Sequence, residues 1–172
     1  MTETWAARIL IHERDDNGKT PVERASEVGA TWLVELILQV DRFAIIKIPL
    51  AWIEACKNRH LSTVLVFAEK SLYFGKLCRE YRDTPLHHLQ DLTYKEYQEL
   101  LESASINELK NIQNSQGETP LHTAIKSKNK NLTEILLTMG DVDRTIKDND
   151  SKTAMDLLKE MCDQDPDWVC LL

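Results

Sequence analysis

The sequence predicts an all-α protein of stacked helix–turn–helix units. Two observations predict it: a short motif recurs at nearly constant spacing, and apolar columns keep register with it. The motif is clearest as Gly117-Glu118-Thr119-Pro120-Leu121-His122-Thr123-Ala124. The Thr119 hydroxyl can cap a helix by accepting from an orphan backbone N–H in its first turn. Pro120 suits the first helical position, where a missing N–H costs nothing and the fixed φ is already helical. Leu121 and Ala124 lie three apart on one face of the helix they open. His122, beside the cap, can bond across to a neighbouring loop.

The chain opens with Thr4 to Glu13, which reads as a helix with Trp5, Ile9 and Leu10 inward and Arg8 and Glu13 outward. Asp15-Asp16-Asn17-Gly18-Lys19 follows as a turn. Thr20-Pro21-Val22-Glu23-Arg24-Ala25 is the first copy of the motif, and Trp32 to Leu38 is the second helix of that unit. Between them Gly29 is placed to end the first helix in a left-handed conformation. The motif returns as Ile48-Pro49-Leu50-Ala51, Thr84-Pro85-Leu86-His87, Thr119-Pro120-Leu121-His122 and Thr153-Ala154-Met155-Asp156. Taken at Pro21, Pro49, Pro85, Pro120 and Ala154, the anchors are 28, 36, 35 and 34 residues apart. Fixed periods of this size are the signature of stacked repeats.

Other columns stay in step with the anchors. One residue on stand Val22, Leu50, Leu86, Leu121 and Met155; four on stand Ala25, Ile53, Leu89, Ala124 and Leu158. Further along come Leu33, Leu61, Tyr97, Leu132 and Pro166. The pairs Leu36-Ile37, Val64-Leu65, Leu100-Leu101, Ile135-Leu136 and Val169-Cys170 then follow. Pro166 alone breaks the apolar pattern. No unit can bury such columns by itself, so neighbours bury them together.

Thr-Pro-Leu-His with two helices per repeat of about 33 residues resembles the ankyrin repeat. Five copies cover nearly the whole chain as a single ankyrin-repeat solenoid. A cap helix occupies 1–14, and repeats occupy 15–41, 42–76, 77–113, 114–147 and 148–172. The copy at 114–147 matches best. The copy at 42–76 is degenerate, with Ile48 for the threonine, Ala51 for the histidine and a shortened leading turn. The last copy lacks the proline and the histidine, as terminal repeats tolerate. The resemblance implies a concave face of first helices, a convex face of second helices, and turns projecting as β-hairpin fingers. Full-length fingers are expected only for 114–147 and over Gly140 to Lys152, with short or irregular ones elsewhere. It also implies that His87 and His122 hydrogen-bond between repeats.

Composition bounds the function. Apolar residues make up 42% and charged residues 28% of the chain, as in ordinary soluble domains. A net charge of −7 argues against nucleic acid or an anionic membrane as partner. Glu3, Arg8 and Glu13 interrupt any leader at the start, and the apolar run Trp32 to Val40 is too short to span a bilayer and carries Glu35. The four cysteines show no CxxC spacing and read as reduced thiols. A cytoplasmic monomer is expected. Irregular repeats also suit a host-directed microbial effector acting in the host cytosol.

No catalytic, cofactor or metal site is predicted. His87 and His88 are adjacent and point about 100° apart on a helix, which spoils chelation. Cys56 and His60 are four apart but flank a helix–helix turn without a third partner, so a Cys-dependent enzyme is the weakest reading. Asp163, Asp165 and Asp167 lack the glycine and closing glutamate of a calcium loop. Lys126, Lys128 and Lys130, with Lys110, Arg144 and Lys147 nearby, form a basic patch that serves solubility or meets an acidic or phosphate surface.

The predicted function is binding of a partner protein or peptide on the concave helix and finger surface. Candidate contacts are Phe43, Ile46, Trp52, Cys56, Tyr81, Arg82, His88, Asp91, Gln116, Glu118, Thr123 and Lys126. Trp52 either anchors the partner, as tryptophans do at interfaces, or packs beneath the shortened finger near Phe43. The alternative is an adaptor that tethers an enzyme complex, such as a ubiquitin ligase, to a target.

Overall fold

A computed structural model describes residues 11–41, 51–70 and 74–171. The cap helix expected over 4–13 lies largely outside these residues, as do Phe43, Ile46 and the anchor Ile48-Pro49-Leu50. The chain divides into two compact units, Met1–Leu77 and Cys78–Leu172.

Unit one contains α1 (Pro21–Glu27), α2 (Thr31–Val40), α3 (Ala51–Lys57) and α4 (Leu61–Lys70). Helix α1 starts at a reciprocal cap. The Glu23 N–H donates to Thr20 Oγ1 at 3.4 Å, and the Glu23 carboxylate accepts from the Thr20 N–H at 2.8 Å. It ends where the Ala30 N–H reaches back to the Ala25 carbonyl at 2.8 Å, with Gly29 left-handed at φ +69°. Glycine suits the left-handed backbone, and a Cβ there would lie 2.5 Å from His60 Nδ1. The first helices α1 and α3 pack together, as do the second helices α2 and α4.

The same turn sets the register of the second repeat and corrects the alignment drawn from sequence. The His60 N–H reaches the Ala55 carbonyl at 2.8 Å, and Arg59 takes the left-handed place of Gly29 at φ +60°. Helix α3 therefore matches α1 residue for residue, with Ala51 rather than Pro49 in the position of Pro21. This two-residue slip moves Trp52 off the expected concave face and into the buried position of Val22. Trp52 is 1% exposed, and its ring meets Phe74 edge-on with centroids 5.9 Å apart. Cys56 falls in the position of Ser26 and is buried as well. Neither residue can contact a partner, so both leave the candidate set.

Helix α5 (Phe74–Tyr81) contains the point of division. Unit two continues with α6 (Pro85–His88), α7 (Tyr94–Glu102), α8 (Ala104–Asn107), α9 (Pro120–Lys126), α10 (Lys130–Thr138), α11 (Ala154–Gln164) and a 3-10 helix over Pro166–Leu171. Helix α9 packs between α6 and α11, while α10 packs on α7 and on the 3-10 helix. Pro166 ends the regular helical run, and Trp168 of the 3-10 helix is buried. Helix α6 is a single turn, because the chain becomes extended at Leu89 and re-enters a helix at the Thr93–Glu96 capping box. The Tyr97 hydroxyl donates to the freed Leu89 carbonyl at 2.9 Å, so no buried acceptor is left open there.

The stacking columns are real, with local exceptions. Ile37, Phe67, Leu100 and Leu136 hold the same position in α2, α4, α7 and α10, and all are buried. Leu36 and Val169, expected in such a column, are exposed. Among the described residues the only β pairing is an isolated antiparallel bridge between Lys147 and Thr153. No described helix is long and apolar enough to cross a membrane.

Truncating Trp52 to alanine should leave a cavity against Phe74 and cost about 3–5 kcal/mol. A lower denaturation midpoint at unchanged slope would register that loss; unchanged stability would return Trp52 to the surface.

Candidate functional site

Three five-residue turns share one construction. Asp15–Lys19, Asn114–Glu118 and Asp148–Lys152 each close with the first N–H donating to the fifth carbonyl, at 2.9, 2.8 and 2.9 Å. In each, the side-chain oxygen of the first residue accepts from the N–H groups two and four residues on. These are Asn17 and Lys19 at 2.9 Å, Gln116 and Glu118 at 2.9 Å, and Asp150 and Lys152 at 3.0 Å. The fourth residue is left-handed in all three: Gly18, Gly117 and Ser151. An Asp or Asn three residues before such a position was a legible signal of these turns that the sequence reading did not use.

In unit two the last two turns stack. The Asn149 N–H donates to the Gln116 carbonyl at 3.0 Å, and Gln113 Nε2 donates to both the Gly117 and Lys147 carbonyls, at 2.6 and 2.9 Å. A Cβ on Gly117 would lie 2.6 Å from Asn149 Oδ1, so only glycine allows this approach.

Two histidines tie the motif copies together. His122 Nδ1 accepts from the Thr119 N–H at 3.2 Å and faces Thr119 Oγ1 at 2.8 Å, while Nε2 lies 3.1 Å from the Lys152 carbonyl. His87 repeats this with Thr84 at 3.2 and 2.9 Å and the Glu118 carbonyl at 3.0 Å. A carbonyl can only accept, so the proton sits on Nε2 and Nδ1 is the acceptor. The inter-repeat bond expected of both residues is present. Burial disfavours a charged His87 ring and pulls its pKa below 6.5, against the opposing pull of the Glu118 carbonyl and the Asp83 carboxylate.

Ion pairs recur across the same joint. In three of the repeats the residue before the capping threonine pairs with a residue eight further on: Lys19 with Glu27 at 3.1 Å, Glu118 with Lys126 at 2.7 Å, Lys152 with Glu160 at 2.7 Å. The sign is reversed in the middle pair. Lys126 also reaches Asp148 at 3.0 Å, and Lys19 reaches Glu54 at 3.4 Å, so each lysine links two successive repeats. Burial works against the Lys126 charge, yet the Glu118 and Asp148 carboxylates outweigh it and raise its pKa. Burial likewise opposes the Asp148 and Glu118 charges, and Lys126 with neighbouring donors still holds both below the ordinary carboxylate range. Part of the expected basic patch is thus taken up in separate pairings. Lys110 is held by Asp141 and Asn107, and Lys130 donates to the Asp167 carbonyl at 2.7 Å.

Of the candidate contacts, Gln116, Glu118, Thr123 and Lys126 come together on the stacked turns and α9. Gln116 and Lys126 are exposed, while Glu118 and Thr123 are half-buried. Tyr81 and Arg82 are exposed at the end of α5, where Arg82 is left-handed at φ +51°. His88 is half-buried with Nε2 on Asp83 at 2.6 Å, and Asp91 is exposed in the link after α6. Asn149 and Asp150, missed at the sequence level, are exposed on the adjoining turn. His60 spends Nε2 on the Glu27 carbonyl at 3.1 Å, so with Cys56 buried no Cys-His pair is presented. Among the described residues, no group of His, Cys, Asp or Glu could hold a metal ion.

Residues 106–158 match the family model described as ankyrin repeats (many copies). The match spans the stacked turns, the His122 joint and helices α9 and α10. No curated protein matches the chain.

Because the folded state keeps His87 neutral, unfolded chains take up this proton first. Its contribution is complete above the unfolded pKa of 6.5 and declines as pH falls from there through the folded value. Between about pH 7.5 and about pH 5.5, the wild type should lose more stability than His87→Gln. Parallel losses in chemical denaturation would contradict the buried neutral ring.

Proposed function

We propose that this chain, which carries ankyrin repeats and their all-α fold, is a non-catalytic protein-binding module. Its surface for a partner protein or peptide is the stacked turns and first helices of unit two. Ankyrin repeats are generally protein–protein interaction modules, which supports the class of function.

The observation that carries the reading is a division of labour at the turns. Backbone groups, Asn114, Asp148 and the buried histidines hold the turns in place. The Gln116, Lys126 and Asp150 side chains are left at the surface. A surface fixed before contact loses little conformational entropy on binding, which favours affinity. Lys126 and Asp150 are exposed there with opposite signs, so the surface selects partners by charge pattern rather than by net charge.

Affinity capture with the wild type beside a Tyr81→Ala/Gln116→Arg double variant tests this. Both side chains are exposed, so melting should be unchanged while captured partners are lost. Identical capture by both proteins would place binding elsewhere.

A further inference from the structure

We propose that the exposed face of α2 in unit one is a second docking surface, fitted to a single amphipathic helix that carries one lysine or arginine. Val28, Trp32 and Leu36 follow one another at four-residue spacing and are 69%, 68% and 48% exposed. Val28 stands in the turn at the foot of α2. Trp32, Glu35, Leu36 and Gln39 fall within an arc of about 100° on the helix, which is one face.

The fold does not call for this stripe. In the corrected register Val28 and Trp32 correspond to Asn58 and Ser62 in the second repeat. In the copy at 114–147 they correspond to Ser127 and Asn131, and all four are polar and exposed. Leu36 corresponds to Val66 and Ile135, which are buried. The stripe thus continues from a position that the second and fourth repeats bury by stacking onto a face that they leave polar.

Size and charge select the occupant. The three apolar side chains expose on the order of 350 Å², a patch of the size that marks functional surfaces. A stable interface between two globular surfaces needs about 800 Å² from each partner, whereas one helix laid along another can be served by less. Glu35 stands within the stripe, and no ion pair holds it among the described residues. A second copy laid face to face would bring another Glu35 and no cation from the stripe. A helix bearing a cation would instead pair Glu35 while covering Trp32, the residue type that most often anchors interfaces. This surface belongs to unit one, and its role does not depend on that of the unit-two turns.

The test titrates the full chain with a labelled synthetic helix that has leucines along one face, a single lysine beside them, and alanine and glutamine elsewhere. Fluorescence anisotropy should show binding that weakens about tenfold in Trp32→Ala and in Glu35→Lys. Exchanging the peptide lysine for glutamate should restore binding to Glu35→Lys. Absent binding to the wild type, or equal binding to wild type and Trp32→Ala, overturns the proposal. A lowered melting temperature in Trp32→Ala also overturns it, by showing the face already covered within the chain. So does a Trp32-dependent dimer in sedimentation, which would make a second copy the occupant.

Discussion

Both nitrogens of the His122 ring are committed, one to the cap of its own helix and one to the carbonyl that precedes the next cap. His87 makes the same pair of contacts one repeat earlier. The imidazole therefore couples three things that must agree: where a first helix starts, where the following turn sits, and how far apart successive repeats stand. Buried backbone groups left unpaired cost about 1–3 kcal/mol each, so the ring holds the joint by what its loss would expose as well as by what it bonds. Stacked apolar positions such as Leu100 and Leu136 supply the larger attraction, but they are non-directional and set no register alone.

Legibility of the fold in the sequence followed from this joint. Where Thr-Pro-Leu-His is intact, the caps and the inter-repeat bond are readable from residue types, although the helix opened by Pro85 stops after a single turn. Where it decays, the reading slipped. Pro49 looked like an anchor because proline favours a helix start, yet the pattern of helix and turn places Ala51 there. Two residues of error were enough to exchange a core tryptophan for a surface one, because a helix turns by about 200° over that distance. The better guide was the inter-helix turn, in which Gly29, Arg59 and Lys128 share a left-handed backbone. Only one of the three is glycine, so composition concealed the equivalence.

The candidate surface was legible only in part. Gln116 and Lys126 could be placed by repeat position, since the copy that bears them is regular. The pairing of Lys126 with two carboxylates could not, because its second partner comes from the next repeat. The recurrence of that pair with exchanged signs shows that the joint accepts either arrangement of opposite charges. Repeat three departs from this scheme. Asp83 and Asp91 occupy the two positions, like charges cannot pair there, and Asp83 turns to His88 instead. The first helix of that repeat is also the shortest, and Tyr97 rather than a continuing helix satisfies the carbonyl at its end.

The joint itself is open to direct measurement. Long-range proton–nitrogen correlation spectra of the imidazole rings report which nitrogen carries the proton. Both His87 and His122 should show a single neutral tautomer at neutral pH, protonated at Nε2, with Nδ1 shifted as a hydrogen-bond acceptor. Proton placement on Nδ1, or the averaged signals of a freely exchanging ring, would contradict the account.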